Sequence, residues 1–470
     1  MLFNSAQFAV FFTLLLLAYH VLPRRSRGGL LLGASLLFYF LWVPQYIVLL
    51  LADVAVNYLL LRRMVASKRP KLYLTISVSF TLLLLAYFKY AAFIVESLIP
   101  LSDALWGWQP PVPELILPLG ISFFSFQLIA LSVDTYNGRL EALPSFPRVL
   151  LFICFFPQLI AGPILRGNQF LPQLERGGVM TRERVRRGIW LIASGAAKKI
   201  VLADFFLKPY VDLIFSDPGA ASAPVHLVAL YGFAFQVYFD FSGYSDIARG
   251  LACLLGFELP LNFREPYLSR NAAEHWRRWH ITLSTWLRDY VYAYLPLGGN
   301  RLGRSRAYLT LFITMLLGGL WHGAGWTFVI WGGLHGIYLI VHRACVRNPR
   351  HPEAPLALRD APAIFGHFQV VCLLYILFRA PSLGEAWLFT QALFTKSYLV
   401  HWPILPTLIV LVCIGLHFGE YWLRPRLPRL QQTLADHSWG SALEGLALGS
   451  LAALVIAMGG VAGEFIYFQF

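Results

Sequence analysis

The residues of this chain best suited to chemistry are two histidines in unlike company. His280 lies in the basic, aromatic run HWRRWHITLSTWLRDYVYAYLPLGGNR (residues 275–301), and His322 lies in the uncharged run LLGGLWHGAGW. An imidazole accepts a proton near neutral pH, and in a water-poor setting its basicity depends strongly on its neighbours. Such a pair suits acid–base or nucleophilic work within a membrane.

The elements that position them are set by composition. The chain is 58% hydrophobic and 13% charged, with a mean hydropathy of +0.61. Ordinary soluble domains are about a quarter charged, so this reads as an integral membrane protein. Hydrophobic runs of near-spanning length recur from Leu2 to Val461, which predicts one polytopic domain over residues 1–470 and roughly nine to twelve spans. The run from Phe8 to Leu22 has no charged segment before it and no small-x-small site after it, and is expected to be the first span. The net charge of +14 falls between the runs, where loop orientation accounts for it, and no nucleic-acid partner is expected. Five scattered cysteines without CxxC spacing predict neither a disulfide framework nor a metal site.

Basic clusters at residues 24–27, 62–71, 166–187, 264–306, 343–359 and 424–429 are all expected on the cytoplasmic side. The acidic, Trp- and Pro-rich loop 102–114 is expected outside. Residues 149–164 end in PQLIAGPI and predict a kinked or re-entrant segment. Lys198 and Lys199 interrupt an apolar run, and snorkelling at an interface is the expected arrangement. Residues 307–342 carry no Asp, Glu, Lys or Arg and are too long for one span, so a bend is predicted at Gly323–Gly325. His322 stands 16 residues beyond Arg306, about 24 Å along a helix, and is expected deep, with His280 nearer the cytoplasmic side. His335, 13 residues on, falls about 220° around an ideal helix and would not share the face of His322.

Each motif also admits a structural reading. The small residues of GGLWHGAGW would suit helix packing with a hydrogen-bonded histidine. Trp276, Arg277, Arg278 and Trp279 could form an interfacial amphipathic helix, or the arginines could meet donor phosphates in a bidentate fork. Asp240 and Asp246, in QVYFDFSGYSDIARG, could orient a histidine, pair with a nearby arginine or serve only as a buried ion pair. His20, His226, His351, His401 and His437 have no constellation around them. FDFSGYSD lacks the first glycine of a nucleophile elbow at Ser242.

Over WRRWHITLSTWLRDYVY with LPLGGNR, and LLGGLWHGAGWTFVIWGGLHG, the sequence resembles the membrane-bound O-acyltransferase (MBOAT) family, most closely its bacterial alginate O-acetyltransferase branch. QLIAGPILRGNQFLPQL, FDFSGYSDIARGLACLLGFELPLNF and the terminal FIYFQF extend the resemblance over nearly the whole chain. The loop VYAYLPLGGNR runs slightly longer than that branch's usual spacing. The resemblance implies an all-α polytopic fold, with spanning, re-entrant and interfacial helices around a central cavity open toward both membrane faces. It implies His322, in WHG, as the catalytic histidine and His280, in WRRWH, as the second.

It further implies acyl transfer in a bacterial inner membrane, with acetyl-CoA as the expected donor substrate and no bound cofactor. An extracytoplasmic acetyltransferase partner would modify a polysaccharide such as alginate. Membrane lipids are the expected surroundings. Trp276, Arg277, Arg278, Trp279, Trp321, Asp240 and Asp246 are the remaining candidates for donor or substrate contact. A D-alanyl transferase for teichoic acid and a polysaccharide or lipid transporter are the alternatives.

Overall fold

In hydrocarbon every backbone N–H and C=O must find a partner within the chain, so a sequence this apolar folds as helices. The computed structural model describes residues 3, 5–219, 221–295, 303–346, 354–399, 402–437, 439–459 and 465, and no strand occurs among them. His351, His401, the loop 296–302 and most of the terminal FIYFQF lie outside the described residues. Among the described residues, five helices are long and apolar enough to cross a membrane: Pro70–Trp106, Trp326–Cys345, Leu358–Arg379, Ile404–Leu423 and Gly440–Met458. Ala6–Val21 and Ile121–Tyr136 are shorter apolar helices. Other long helices, such as Tyr46–Ala66 and Ala223–Leu254, carry charged residues along their length and do not meet so simple a measure.

The chain divides into two compact units. The first, Met1–Ile189 with Ala248–Pro260, contains α1 (Ala6–Val21), α2 (Arg24–Phe40), α3 (Tyr46–Ala66), α4 (Pro70–Trp106), α5 (Ile121–Tyr136), α6 (Phe146–Cys154), α7 (Phe156–Leu159) and α8 (Gly167–Arg176). Side-chain hydrogen bonds join α3, α4 and α5: Asn57 Nδ2 donates to the Thr81 hydroxyl oxygen at 3.0 Å, the Ser77 hydroxyl donates to Asn57 Oδ1 at 2.5 Å, and the Ser77 and Ser132 hydroxyls lie 2.8 Å apart. These bonds cross-link helices whose apolar faces give no preference for one another over lipid. The expected break in residues 149–164 is present, because α6 stops at Cys154 and α7 lasts a single turn.

The second unit, Trp190–Ile247 with Leu261–Phe470, is entered along α9 (Arg182–Ala196). A π-helical stretch, Ala197–Leu207, leads to α10 (Lys208–Ser216) and α11 (Ala223–Leu254). Short helices α12 (Ala272–Arg278) and α13 (Ile281–Trp286) follow, then a π turn, Leu287–Tyr292. The rest is α14 (Arg304–His322), α15 (Trp326–Cys345), α16 (Ala361–Arg379), α17 (Leu383–Thr395), α18 (Ile404–Leu423), α19 (Leu427–Asp436) and α20 (Gly440–Met458).

Two close approaches shape this unit. The chain turns at Gly323–Gly325 as the sequence predicts, and α14 folds back on α15 with Gly319 against Gly332. A Cβ on either would stand 2.9 Å from the other's Cα, so only hydrogen fits there. Along α11, a Cβ at Gly243 would stand 2.7 Å from the Gly195 carbonyl oxygen, and one at Gly195 would stand 2.6 Å from that of Gly243.

That second approach brings in the lysines expected to snorkel, and they do not. Lys199 is buried and pairs with Asp204 at 2.8 Å and with Asp240. Lys198 pairs with Asp246 at 3.2 Å and with Glu420 of α18, whose carboxylate also accepts the Tyr238 hydroxyl at 2.6 Å. The π stretch turns both ammonium groups toward acidic partners on α11 and α18, and those contacts outweigh the reach to an interface. Asp240 and Asp246 thus form ion pairs inside the protein, the structural arrangement the sequence allowed for them, with lysines as partners and not the histidine or arginine also considered.

Candidate active site

His280 sits at the joint between α12 and α13, and it is built in tightly. Its φ is 42°, one of two positive values at non-glycine residues among those described. That left-handed conformation is sparsely populated for a side-chain-bearing residue and persists where the surroundings enforce it. Here they do so with backbone bonds on both sides. The Ile281 N–H donates to the Asn262 carbonyl at 2.9 Å, and the Arg264 N–H to the Arg278 carbonyl at 2.9 Å.

The Asn262 side chain then sets the ring's chemistry. Its Oδ1 accepts from the Thr282 backbone N–H at 3.2 Å and from the Thr282 hydroxyl at 2.9 Å. A backbone N–H can only donate, so the amide orientation is fixed and the atom facing His280 is an acceptor. His280 Nδ1, 3.2 Å away, therefore carries the proton, and Nε2 carries the lone pair. A neutral imidazole held in this tautomer can receive a proton through Nε2.

His322 is the last residue of α14, and its ring centroid lies 6.4 Å from that of His280. Both are buried. This corrects the expected separation in depth: the two rings share one level. Residues 264–292 do not stay at the basic boundary, since their short helices bring His280 to the far end of α14. The same fold revises the interfacial reading of Trp276 and Trp279, because Trp279 is buried and Trp276 is half-buried.

Aromatic rings enclose the pair. Trp321 lies 5.8 Å from His280 and 5.0 Å from His322, centroid to centroid. Phe241 of α11 stands perpendicular to His280 at 4.6 Å, and Phe465, within the terminal FIYFQF, packs on Phe241 at 5.4 Å. Trp331 and Phe378 flank His322 at 5.1 and 5.3 Å. Trp331 also meets His335 at 4.6 Å. His335 is thus close to the pair, despite the angular separation computed for one continuous helix, because the turn at Gly323–Gly325 puts it on a second helix. Beyond it, His275 lies 6.5 Å from His335 and 5.2 Å from His367. Among the described residues no group of three or more His, Cys, Asp or Glu side chains is placed to hold a metal ion.

The other candidates are dispersed. Trp276 packs against His335 at 5.1 Å, and Trp279 stacks on His275 at 5.8 Å. Arg278 is buried with its guanidinium 2.7 Å from Glu274, which also holds Arg270 at 2.8 Å. Arg277 is exposed. Asp240 and Asp246 belong to the lysine network and are the immediate chain neighbours of Phe241 and Ser245, so they hold in place the helix that backs His280. Sequence reasoning did not single out Asn262, Phe241, Trp331 or Phe378. Asn262 and Phe241 fall within the quoted motif FDFSGYSDIARGLACLLGFELPLNF, and no spacing distinguishes them from its other residues.

Asn262→Leu is expected to take from the Thr282 N–H and hydroxyl and from the His280 Nδ1–H the acceptor they share, at about 1–3 kcal/mol wherever a buried donor is left unsatisfied. Asn262→Asp keeps an acceptor oxygen there. Transfer activity per molecule of membrane-inserted protein should fall sharply in the first and largely survive in the second. Equal activity in both would remove Asn262 from the account.

A multi-helix membrane fold enclosing a buried histidine pair defines a candidate membrane-embedded transferase, and comparison with known proteins gives its family. The sequence model of the MBOAT, membrane-bound O-acyltransferase family, matches residues 36–380. The chain is 40% identical over 403 residues to a probable alginate O-acetylase of Azotobacter vinelandii, covering 84% of this chain and 78% of that one. It is 34% identical over 423 residues to a peptidoglycan O-acetyltransferase of Helicobacter pylori, covering 82% and 78%. A teichoic acid D-alanyltransferase of Streptococcus thermophilus is 28% identical over 326 residues, covering 64% and 77%. The chain belongs to the membrane-bound O-acyltransferase family and is an O-acyltransferase.

Proposed function

We propose that this protein moves acetyl groups from a cytoplasmic thioester, acetyl-CoA, across the bacterial inner membrane for O-acetylation of an extracytoplasmic polysaccharide such as alginate. The observation that carries this is the buried pair of His280 and His322, 6.4 Å apart in an aromatic enclosure. A hydroxyl is a weak nucleophile at neutral pH unless a base takes its proton as it attacks. His322 takes that proton, the oxygen adds to the thioester carbonyl, and the thiolate leaves and is protonated in turn. His280, with Nδ1–H tied to Asn262, offers its Nε2 lone pair as the second group. The surrounding rings exclude water, which would otherwise hydrolyse the thioester.

Acetylating relatives align more fully and at higher identity than the D-alanylating one, which favours acetyl over D-alanyl. A transporter gives no role to the paired histidines. Arg277, being exposed, is the arginine offered to the donor's phosphates, and Arg278 acts through Glu274 on the shape of α12. The attacking hydroxyl belongs to an extracytoplasmic acetyltransferase partner, which receives the acetyl group as an ester and then passes it to a polymer hydroxyl.

Inverted membrane vesicles containing the protein and its partner proteins test the donor. Radiolabelled acetyl-CoA should yield acetylated polymer in the lumen, and Arg277→Gln should raise the donor KM more than it lowers kcat. Label that stays entirely on coenzyme A, while a D-alanyl carrier protein is consumed, would contradict the reading.

A further inference from the structure

The first unit contains a cavity of about 520 Å³ whose wall is strongly basic. Arg24, Arg25 and Arg27 reach it from the first turn of α2, Arg148 from α6 and Arg176 from the end of α8, and Glu175 is the one carboxylate among its lining residues. Arg148 lies 3.2 Å from Glu175. Arg27 donates to the Leu22 carbonyl at 3.2 Å and covers the Tyr19 ring at 4.8 Å. Arg24, Arg25 and Arg176 make no ion pair among the described residues. A topological signal requires only that basic residues flank a span. It does not require three segments, far apart in sequence, to bring five guanidinium groups to one concavity.

The backbone of that concavity points the same way. It lies at the start of α2, a 17-residue helix whose N-cap Pro23 supplies no side-chain hydrogen bond. The Ser26 N–H donates to the Pro23 carbonyl at 2.9 Å, so what this helix end brings to the concavity is the positive end of its dipole and the N–H groups of its first two residues. Gly28, Gly29 and Gly177 also line the cavity, and a Cβ placed on any of them would meet nothing within 4 Å. The space beside the arginines is therefore open. Its volume suits a headgroup or a nucleotide moiety rather than a lone ion.

We propose that this cavity binds a phosphate ester, held by the bidentate forks of Arg24, Arg25 and Arg176 beside the N-terminus of α2. Two sources present that chemistry at a membrane surface: the headgroup of an anionic phospholipid and the phosphates of a soluble nucleotide thioester. The proposal does not rest on the acyl-transfer reading, because binding is measured without turnover.

Full-length protein in phosphatidylcholine nanodiscs is titrated with coenzyme A in one arm. In the other, nanodiscs containing phosphatidylglycerol are used, and native mass spectrometry reads how much of that lipid stays bound through delipidation. The triple variant Arg24→Gln, Arg25→Gln, Arg176→Gln should lose at least tenfold in one arm, which names the source, and raised salt should weaken wild-type binding in that arm. Arg62→Gln with Arg63→Gln, on exposed residues of α3 outside the cavity, should leave binding unchanged. Should the triple variant not accumulate, Arg176→Gln alone is read the same way, with a loss of about threefold expected on removal of one of the three forks. Wild-type protein that binds neither probe, a cavity variant that binds both as wild type does, or an equal loss in the α3 control would overturn the proposal.

Discussion

His322→Ala is expected to cut O-acylation to a small residual rate while the protein still inserts and accumulates. Removing a general base typically costs about 10²- to 10⁴-fold in rate. The ring is buried between Trp331 and Phe378 at the end of α14, and alanine there leaves a void. Loss of activity should therefore exceed loss of protein by a wide margin. Polymer acetyl content measured beside membrane protein level separates the two. His335→Ala should be milder, since Trp331 stands between His335 and the pair. Wild-type acetylation by His322→Ala would end its assignment as the base, and disappearance of the variant from the membrane would make the residue a packing element.

The second large effect falls on stability. Lys199 is buried between Asp204 and Asp240, and Lys199→Met would leave carboxylates in the interior without that ammonium group. Removing one partner of a buried ion pair costs about 3–5 kcal/mol, because the remaining charge is uncompensated. Lys198 is more exposed, at 18% of its side chain, so Lys198→Met should cost less. Detergent-solubilised protein followed by thermal unfolding gives the comparison. An unfolding temperature for Lys199→Met equal to wild type would mean that the network contributes little to the fold.

The sequence made some parts of this arrangement legible and hid others for physical reasons. Hydropathy and glycine placement located the α14–α15 turn, since a 36-residue uncharged run cannot span once and Gly323–Gly325 is where it can bend. Proline and glycine likewise marked the break after α6. Depth was misjudged for His280, because distance along a chain measures depth only in a continuous helix, and residues 266–292 are short pieces joined at a left-handed residue. The same limit applied to His335, whose angular offset from His322 has meaning only within one helix. Lys198 and Lys199 looked like interfacial residues because their partners on α11 and α18 are remote in sequence, and a π stretch gives no hydropathy signal. Asn262 was hidden for a related reason: its role depends on the Thr282 N–H, which fixes the direction of its amide.

The central claim is that His280 and His322 act as one site, and a double-mutant cycle on acetyl transfer tests it most directly. The account predicts that His280→Ala, His322→Ala and the double variant, each normalised to protein in the membrane, fall to similar residual rates, because groups that act as a unit are strongly non-additive. A double variant whose loss equals the product of the two single losses would show the histidines working independently, and would contradict it.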